Sequence, residues 1–366
     1  MKILHFTNFY PPPLAGTERY VTDLAANQVK LGHTVHIVYI PIIYNKERVA
    51  MKFEPMNGTT LTFIPDRFSF FKLYREIKKF NPDIIHTHYL KTGLRAAIIG
   101  SILKKPVVCS LLLADEKTKP LRRKIGVRLL APLFRKINYI AISDEIEESI
   151  KKDVSGAKVR MIPCWTWNYK KMDSANESWL RKKLGFPKDA KIFLTVSRIV
   201  EEKGIRHLIY SARDAIKKRS DAYFAVAGTG AMLEEYKSLV TELGIGNNFI
   251  FVGRLSDSEL LDAYKGCDAI IIPSMMDCLF TVTESLVVQK PIISNGVRCA
   301  TEIIENEKSG LIVDVTNHSE FTGAMVRIID DSNLRNKLVK NAAIKGRDYS
   351  PDKCTRDIEE LYKSLI

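Results

Sequence analysis

Short runs rich in Val, Ile and Phe alternate along the whole chain with longer stretches in which apolar positions recur every three or four residues. A continuous apolar run bounded by turn residues reads as a strand buried on both faces. Its repeated alternation with amphipathic helices predicts βαβ units and parallel sheets. In the first half strands are expected near residues 3–9, 34–40, 83–88, 106–112, 139–143 and 159–163, and in the second near 192–197, 223–227, 249–253, 269–273, 291–295 and 311–314. Helices are expected between them, among them residues 17–31, closed by Gly32, and 204–217. The segment 163–176 holds Trp165 and Trp167 and has no period, so it reads as a domain boundary. Residues 177–184 read as a connecting helix. Beyond Asp314 the pattern is helical up to Ser350-Pro351, where proline stops or kinks it. The expected organisation is therefore one Rossmann-like domain over 1–168, a second over 169–350, and a last helix over 351–366 that returns to the first domain.

A length of 366 residues is more than one core serves, which agrees with two domains. Hydrophobic content of 46% and charged content of 27% exclude a disordered or fibrous chain. The start is too polar for a signal peptide and no apolar stretch is long enough to span a bilayer, so the expectation is a cytoplasmic protein. Six cysteines without a Cys-x-x-Cys pair argue against a zinc site or a disulfide framework and for reduced thiols. The net charge of +14 is lopsided. Residues 1–170 hold 28 Lys+Arg against 14 Asp+Glu, and residues 171–366 hold 28 of each, so the whole excess lies in the first half.

The candidate chemistry lies at strand ends, where ligands bind in open α/β sheets. Arg198 and Lys203 follow the strand 192–197 on the loop that opens a helix, a place that already favours an anion and where two cations would neutralise a diphosphate. A solvated Lys and a surface Arg paired with Glu201 or Glu202 would look the same in sequence. Gly228-Thr229-Gly230 suits close backbone approach to a ligand, although tight strand-to-helix turns need glycine for packing alone. Glu284 reads as opening a helix that ends near Gln289. There it would accept ribose hydroxyls while the amides of Phe280, Thr281 and Val282 face phosphate, or it would merely complement the helix N-terminus.

Taken together, Ser197-Arg-Ile-Val-Glu-Glu-Lys-Gly204, Ala227-Gly-Thr-Gly230, Phe251-Val-Gly-Arg-Leu-Ser-Asp-Ser-Glu-Leu260, Pro273-Ser274 with Glu284, and Gly310-Leu-Ile-Val313 resemble, in order and spacing, the retaining glycosyltransferases of family 4. Pro11-Pro-Pro-Leu-Ala-Gly16-Thr-Glu18 resembles the family's glycine loop after the first strand, and Asp83-Ile-Ile-His86-Thr-His88 its Asp-hydrophobic-His-x-His strand end. The resemblance implies a GT-B fold, two Rossmann-like doubly wound parallel-sheet domains facing a central cleft, with acceptor on the first and nucleotide sugar on the second. It implies that Arg198 and Lys203 hold the donor diphosphate, Glu284 the ribose, and Leu255 borders the base. Gly16 would approach the diphosphate and His88 would lie beside the transferred sugar, which Asp277 contacts. No metal or cofactor is implied, and the donor would be UDP- or GDP-linked. This chain departs from the pattern in four places. Six residues rather than seven separate Asp277 from Glu284, Cys278-Leu279-Phe280 replaces Gly-Phe-Gly, Arg298-Cys299 stands where paired glycines are expected, and Cys164-Trp165-Thr166-Trp167 stands where the family has Asn-Gly-x-Asp. A GT-B-like binding or partner subunit without turnover therefore stays open beside the enzyme.

The basic first half carries two patches in which cations and apolar residues interleave, Lys117–Lys136 and Arg67–Lys79. Basic helices with one apolar face lie on anionic bilayers. With no recognised nucleic-acid module, peripheral contact with the inner face of a membrane is preferred to nucleic-acid binding. The acceptor would then be a sugar or lipid-linked acceptor in cell-surface polysaccharide or glycolipid assembly.

Overall fold

The computed structural model describes residues 1–8, 10–11, 16–41, 53–65, 70–112, 131–165, 172, 174–276 and 279–366. The chain divides into two compact units, Met1–Thr166 with Pro351–Ile366, and Trp167–Ser350.

The first unit is built on seven strands: β1 (Lys2–Thr7), β2 (Thr34–Tyr39), β3 (Thr60–Phe63), β4 (Ile84–Thr87), β5 (Val107–Leu111), β6 (Ile137–Ala141) and β7 (Lys158–Met161). All pair in parallel, in the order β3-β2-β1-β4-β5-β6-β7. The central strands are buried nearly end to end, as a sheet covered on both faces requires. Their covering helices follow the apolar period. Helix Gly16–Lys30 buries Tyr20, Val21, Leu24, Ala25 and Gln28 on one face. Strand β3, absent from the sequence pattern, lies at the sheet edge, and only a half-buried Thr-Leu-Thr-Phe marks it. The C-terminal helix Pro351–Lys363 packs in this unit against helix Gly16–Lys30 and buries Cys354, Ile358 and Tyr362.

The second unit has six parallel strands: β8 (Lys191–Val196), β9 (Ala222–Ala227), β10 (Phe249–Gly253), β11 (Ala269–Ile272), β12 (Ile292–Asn295) and β13 (Leu311–Val313), in the order β10-β9-β8-β11-β12-β13. Phe193, Phe224 and Phe249 stack across β8, β9 and β10, and Ile209, Phe321 and Met325 cover them from the helices. In each sheet the strand order reverses once, at β1/β4 and at β8/β11. Loops leaving neighbouring strands there go to opposite faces and open a crevice at the carboxyl edge, where doubly wound sheets bind ligands. No helix among the described residues is long and apolar enough to cross a membrane.

Candidate active site

Arg198, Lys203, Gly228, Leu255, Phe280, Thr281, Val282 and Glu284 lie on loops or helices that follow strands at the carboxyl edge of the second sheet. After β8 the chain runs through Arg198 into a 3-10 turn, Glu201–Lys203. Two hydrogen bonds from the Arg206 guanidinium, each 3.2 Å, and one of 2.9 Å from the Tyr236 hydroxyl hold Glu201. These bonds favour the charged form and pull the Glu201 carboxyl below its ordinary pKa. The Glu202 carbonyl accepts from the Met275 N–H at 3.0 Å, and Lys203 Nζ donates to Ser274 Oγ at 3.3 Å. Lys203 thus spans the reversal between β8 and β11. Arg198 is 70% exposed, with Glu202 at 4.0 Å. So exposed and long a pair contributes at most about 1 kcal/mol, and Arg198 is able to exchange it for an anion.

The glycines of this edge serve the loops themselves. A Cβ on Gly228 would lie 1.9 Å from the Ser197 carbonyl oxygen, one on Gly230 2.1 Å from that of Ile199, and one on Gly204 2.0 Å from that of Pro273. Backbone bonds lace the same loops together, from Ile199 N–H to the Thr229 carbonyl at 2.9 Å and from Gly228 N–H to the Gly253 carbonyl at 2.9 Å. The close approach that Gly228 permits is to the Arg198 loop, so its packing role is the one visible. Leu255, two residues beyond β10, is half-buried.

Glu284 corrects the expectation that it opens its helix. The helix is Leu279–Val287, so Glu284 falls in its second turn and Leu279 begins it. Phe280 and Thr281 do fall in the first turn, where backbone N–H groups lack intrahelical partners, and Val282 follows them. The Glu284 carboxylate is half-buried and accepts a 2.8 Å hydrogen bond from the buried Tyr264 hydroxyl. Asp277 and Cys278 lie outside the described residues.

In the first unit His88 follows β4 and Gly16 begins the helix after β1, so both flank the reversal of that sheet. His88 is completely buried, as are His5 and His86. His5 Nε2 meets Gln28 Oε1 at 2.7 Å and His5 Nδ1 meets His88 Nε2 at 2.8 Å. Read from this network, His5 donates to the Gln28 carbonyl and His88 donates to His5. His88 Nδ1 is left as a buried acceptor with no partner among the described residues. His86 bonds the Tyr362 hydroxyl on one side and Ser110 Oγ, at 2.8 Å, on the other. Burial pulls all three imidazoles below their ordinary pKa, His5 to about 4, so each is neutral at pH 7.

The three histidines present ligand atoms within 4.8 Å of one another. The arrangement fits a proton better than a metal. A tetrahedral zinc about 2.1 Å from each nitrogen spreads them to roughly 3.4 Å. His5 and His88 instead meet nitrogen to nitrogen at 2.8 Å, with rings tilted by only 19°.

Tyr264, Gln28, His5 and Tyr362 carried no signal in sequence. Aromatic residues and isolated polar residues at core positions look alike until their partners, up to 334 residues away, are known.

Two doubly wound parallel sheets, each with its candidate residues at the carboxyl edge, define a GT-B glycosyltransferase architecture. A model described as Glycosyl transferases group 1 matches residues 177–345, and one described as Glycosyltransferase Family 4 matches residues 14–166. Between them they take in most of both units, and the chain belongs to glycosyltransferase family 4. It is 25% identical to an uncharacterized glycosyltransferase of Methanocaldococcus jannaschii, over 99% of this chain and 98% of that protein. To the UDP-Gal:alpha-D-GlcNAc-diphosphoundecaprenol alpha-1,3-galactosyltransferase of Escherichia coli it is 24% identical, over 88% of this chain and 86% of that protein. The structure of Anabaena HepE in complex with UDP superposes with a TM-score of 0.80 at 18% identity, over 100% of both chains.

Proposed function

We propose that this glycosyltransferase moves a hexosyl group from a UDP- or GDP-sugar to an acceptor hydroxyl with retention of configuration and without a metal ion. The observation that carries the reading is the Arg198–Lys203 loop. It places two cations at the reversal of the second sheet, on a turn fixed by Arg206, Tyr236 and the backbone of Met275. Fixed cations there stabilise the charge that grows on the leaving diphosphate, the part that a bound divalent ion plays elsewhere. The first-turn amides of Leu279–Val287 add donors for phosphate, and Glu284 accepts the ribose hydroxyls. For the first unit the reading assigns His88 to the transferred sugar on the strength of the family resemblance. Gly16 is assigned to the diphosphate and Asp277 to the sugar on the strength of the family resemblance.

We further propose a lipid-linked acceptor. The Escherichia coli relative is named for such an acceptor. The helix Phe70–Phe80 turns Lys72, Arg75, Lys78, Lys79 and a 79% exposed Phe71 to solvent while burying Leu73 and Ile77. That is a face suited to anionic headgroups. Of the basic patch Lys117–Lys136, residues 117–130 lie outside the described residues, as do residues 67–69 of the patch Arg67–Lys79.

A thermal-shift titration with UDP-, GDP- and ADP-sugars tests the donor site. A ligand at a hundredfold excess over its Kd adds roughly 2.7 kcal/mol to stability. We expect a shift with one nucleotide, lost in Arg198→Ala/Lys203→Ala, and an α-linked product from an α-linked donor by NMR. No shift with any donor on folded protein would overturn the reading in favour of a partner subunit without turnover. An inverted product would overturn retention alone.

A further inference from the structure

Tyr264 sits on helix Asp257–Gly266, which is locked in place at both ends. Ser256 and Glu259 form a reciprocal cap at its start, and Lys183 ties Glu259 to helix Trp179–Leu184 at 3.0 Å. At its end Gly266 packs so closely that a Cβ would lie 2.7 Å from the Glu177 carbonyl oxygen. The Tyr264 ring is fully buried, and its hydroxyl donates at 2.8 Å to one oxygen of Glu284, on a different helix. A phenol in such a place would cost stability were its hydroxyl unpaired, and the partner it has is the acid assigned to the ribose.

A glutamate carboxylate turns about three side-chain torsions. A fixed hydrogen bond to one oxygen restricts its plane before a ligand arrives, and binding then costs less ordering. We propose that Tyr264 is the positioning residue of the ribose subsite: by holding Glu284 Oε2 it aims the carboxylate at the vicinal hydroxyls and sets the preference for ribonucleotides over deoxyribonucleotides. This rests on Glu284 being the ribose acceptor.

The test is calorimetric titration of the full-length protein with UDP and GDP and with the 2′-deoxy and 3′-deoxy forms of whichever binds. Wild type, Tyr264→Phe, Glu284→Ala and the double variant are compared, with thermal unfolding of each confirming the fold. Wild type should prefer the ribonucleotide by roughly ten- to a hundredfold, as expected for hydroxyls donating to a charged acceptor. Tyr264→Phe should weaken the ribonucleotide several-fold while leaving the deoxynucleotides nearly unchanged, so the preference shrinks. The double variant should be no worse than Glu284→Ala. If Tyr264→Phe weakens ribo- and deoxynucleotides equally, the tyrosine is only a packing residue and the proposal fails. If Glu284→Ala keeps the full preference, the ribose assignment of Glu284 fails first, and a preference unchanged in all variants identifies that failure.

Discussion

Gly204 holds a left-handed backbone, φ +68°, directly after Lys203, and faces the Pro273 carbonyl at a distance that admits no side chain. Gly204→Ala adds a left-handed penalty of about 1 kcal/mol and also forces the β8 and β11 loops apart. The expected outcome is a loss of stability above about 1 kcal/mol in urea unfolding, together with weaker binding of nucleoside diphosphate because Lys203 moves away from Ser274. Unchanged stability would show that the loop has room the geometry denies. Gly185 is a useful control, since its φ is similarly +66° but nothing lies within 4 Å of its Cβ position, so Gly185→Ala carries the backbone penalty without the clash. At this scale the sequence was legible in part. That Gly228 and Gly230 must be glycine could be read from the turn they make, but their partners, the Ser197 and Ile199 carbonyls, could not. Likewise Arg198 and Lys203 stood out as cations after a strand, while Tyr264 looked like any core aromatic because its partner Glu284 lies in another helix.

The C-terminal helix joins the first unit through polar groups as much as apolar ones. Tyr362 bonds His86 and accepts from Gln28 Nε2 at 3.3 Å, and Glu359 meets His33 at 2.6 Å. Tyr362→Phe strips His86 and Gln28 of a buried partner and should cost about 1–3 kcal/mol. The same network gives a pH dependence. His5 is held to about pKa 4 when folded, whereas the unfolded chain protonates near the ordinary histidine value of about 6.5. Between those values the unfolded state binds more protons, so stability is full above about pH 6.5 and falls toward pH 4. The slope is at most about 1.4 kcal/mol per pH unit for His5, with His86 and His88 acting in the same direction. Denaturant melts from pH 7.5 to 4.5 check this, and a His5→Gln variant should flatten the slope; a flat wild-type profile would mean that the folded cluster takes up protons as readily as the unfolded chain does. Strands at element scale were legible because parallel strands buried on both faces are unbroken apolar runs. The edge strand β3 was not, since it has no apolar run to announce it, nor was the place of Glu284 in the second turn of helix Leu279–Val287.

For the molecule as a whole, the informative quantity is where the charge sits. The excess of +14 comes entirely from residues 1–170, while residues 171–366 balance, so any attraction to an anionic surface belongs to the first stretch of chain. Charge alone does not select a membrane over a polyanion, and the sequence could not choose a face. The structure supplies one face to test, because helix Phe70–Phe80 turns its leucine and isoleucine inward and leaves Phe71 outside among four cations. A polyanion needs only the cations, but a bilayer also rewards the ring. Each cation near an anionic surface contributes about 1 kcal/mol, and burying a phenylalanine side chain about 1.5–3 kcal/mol. Sedimentation with phosphatidylglycerol vesicles should therefore weaken by more than tenfold in Lys72→Glu/Lys78→Glu/Lys79→Glu, with binding falling as salt rises. Phe71→Ser should weaken binding that survives at high salt while leaving heparin binding untouched. If Phe71→Ser changes neither, the face is merely a solvated helix surface and the lipid-linked acceptor loses its structural support.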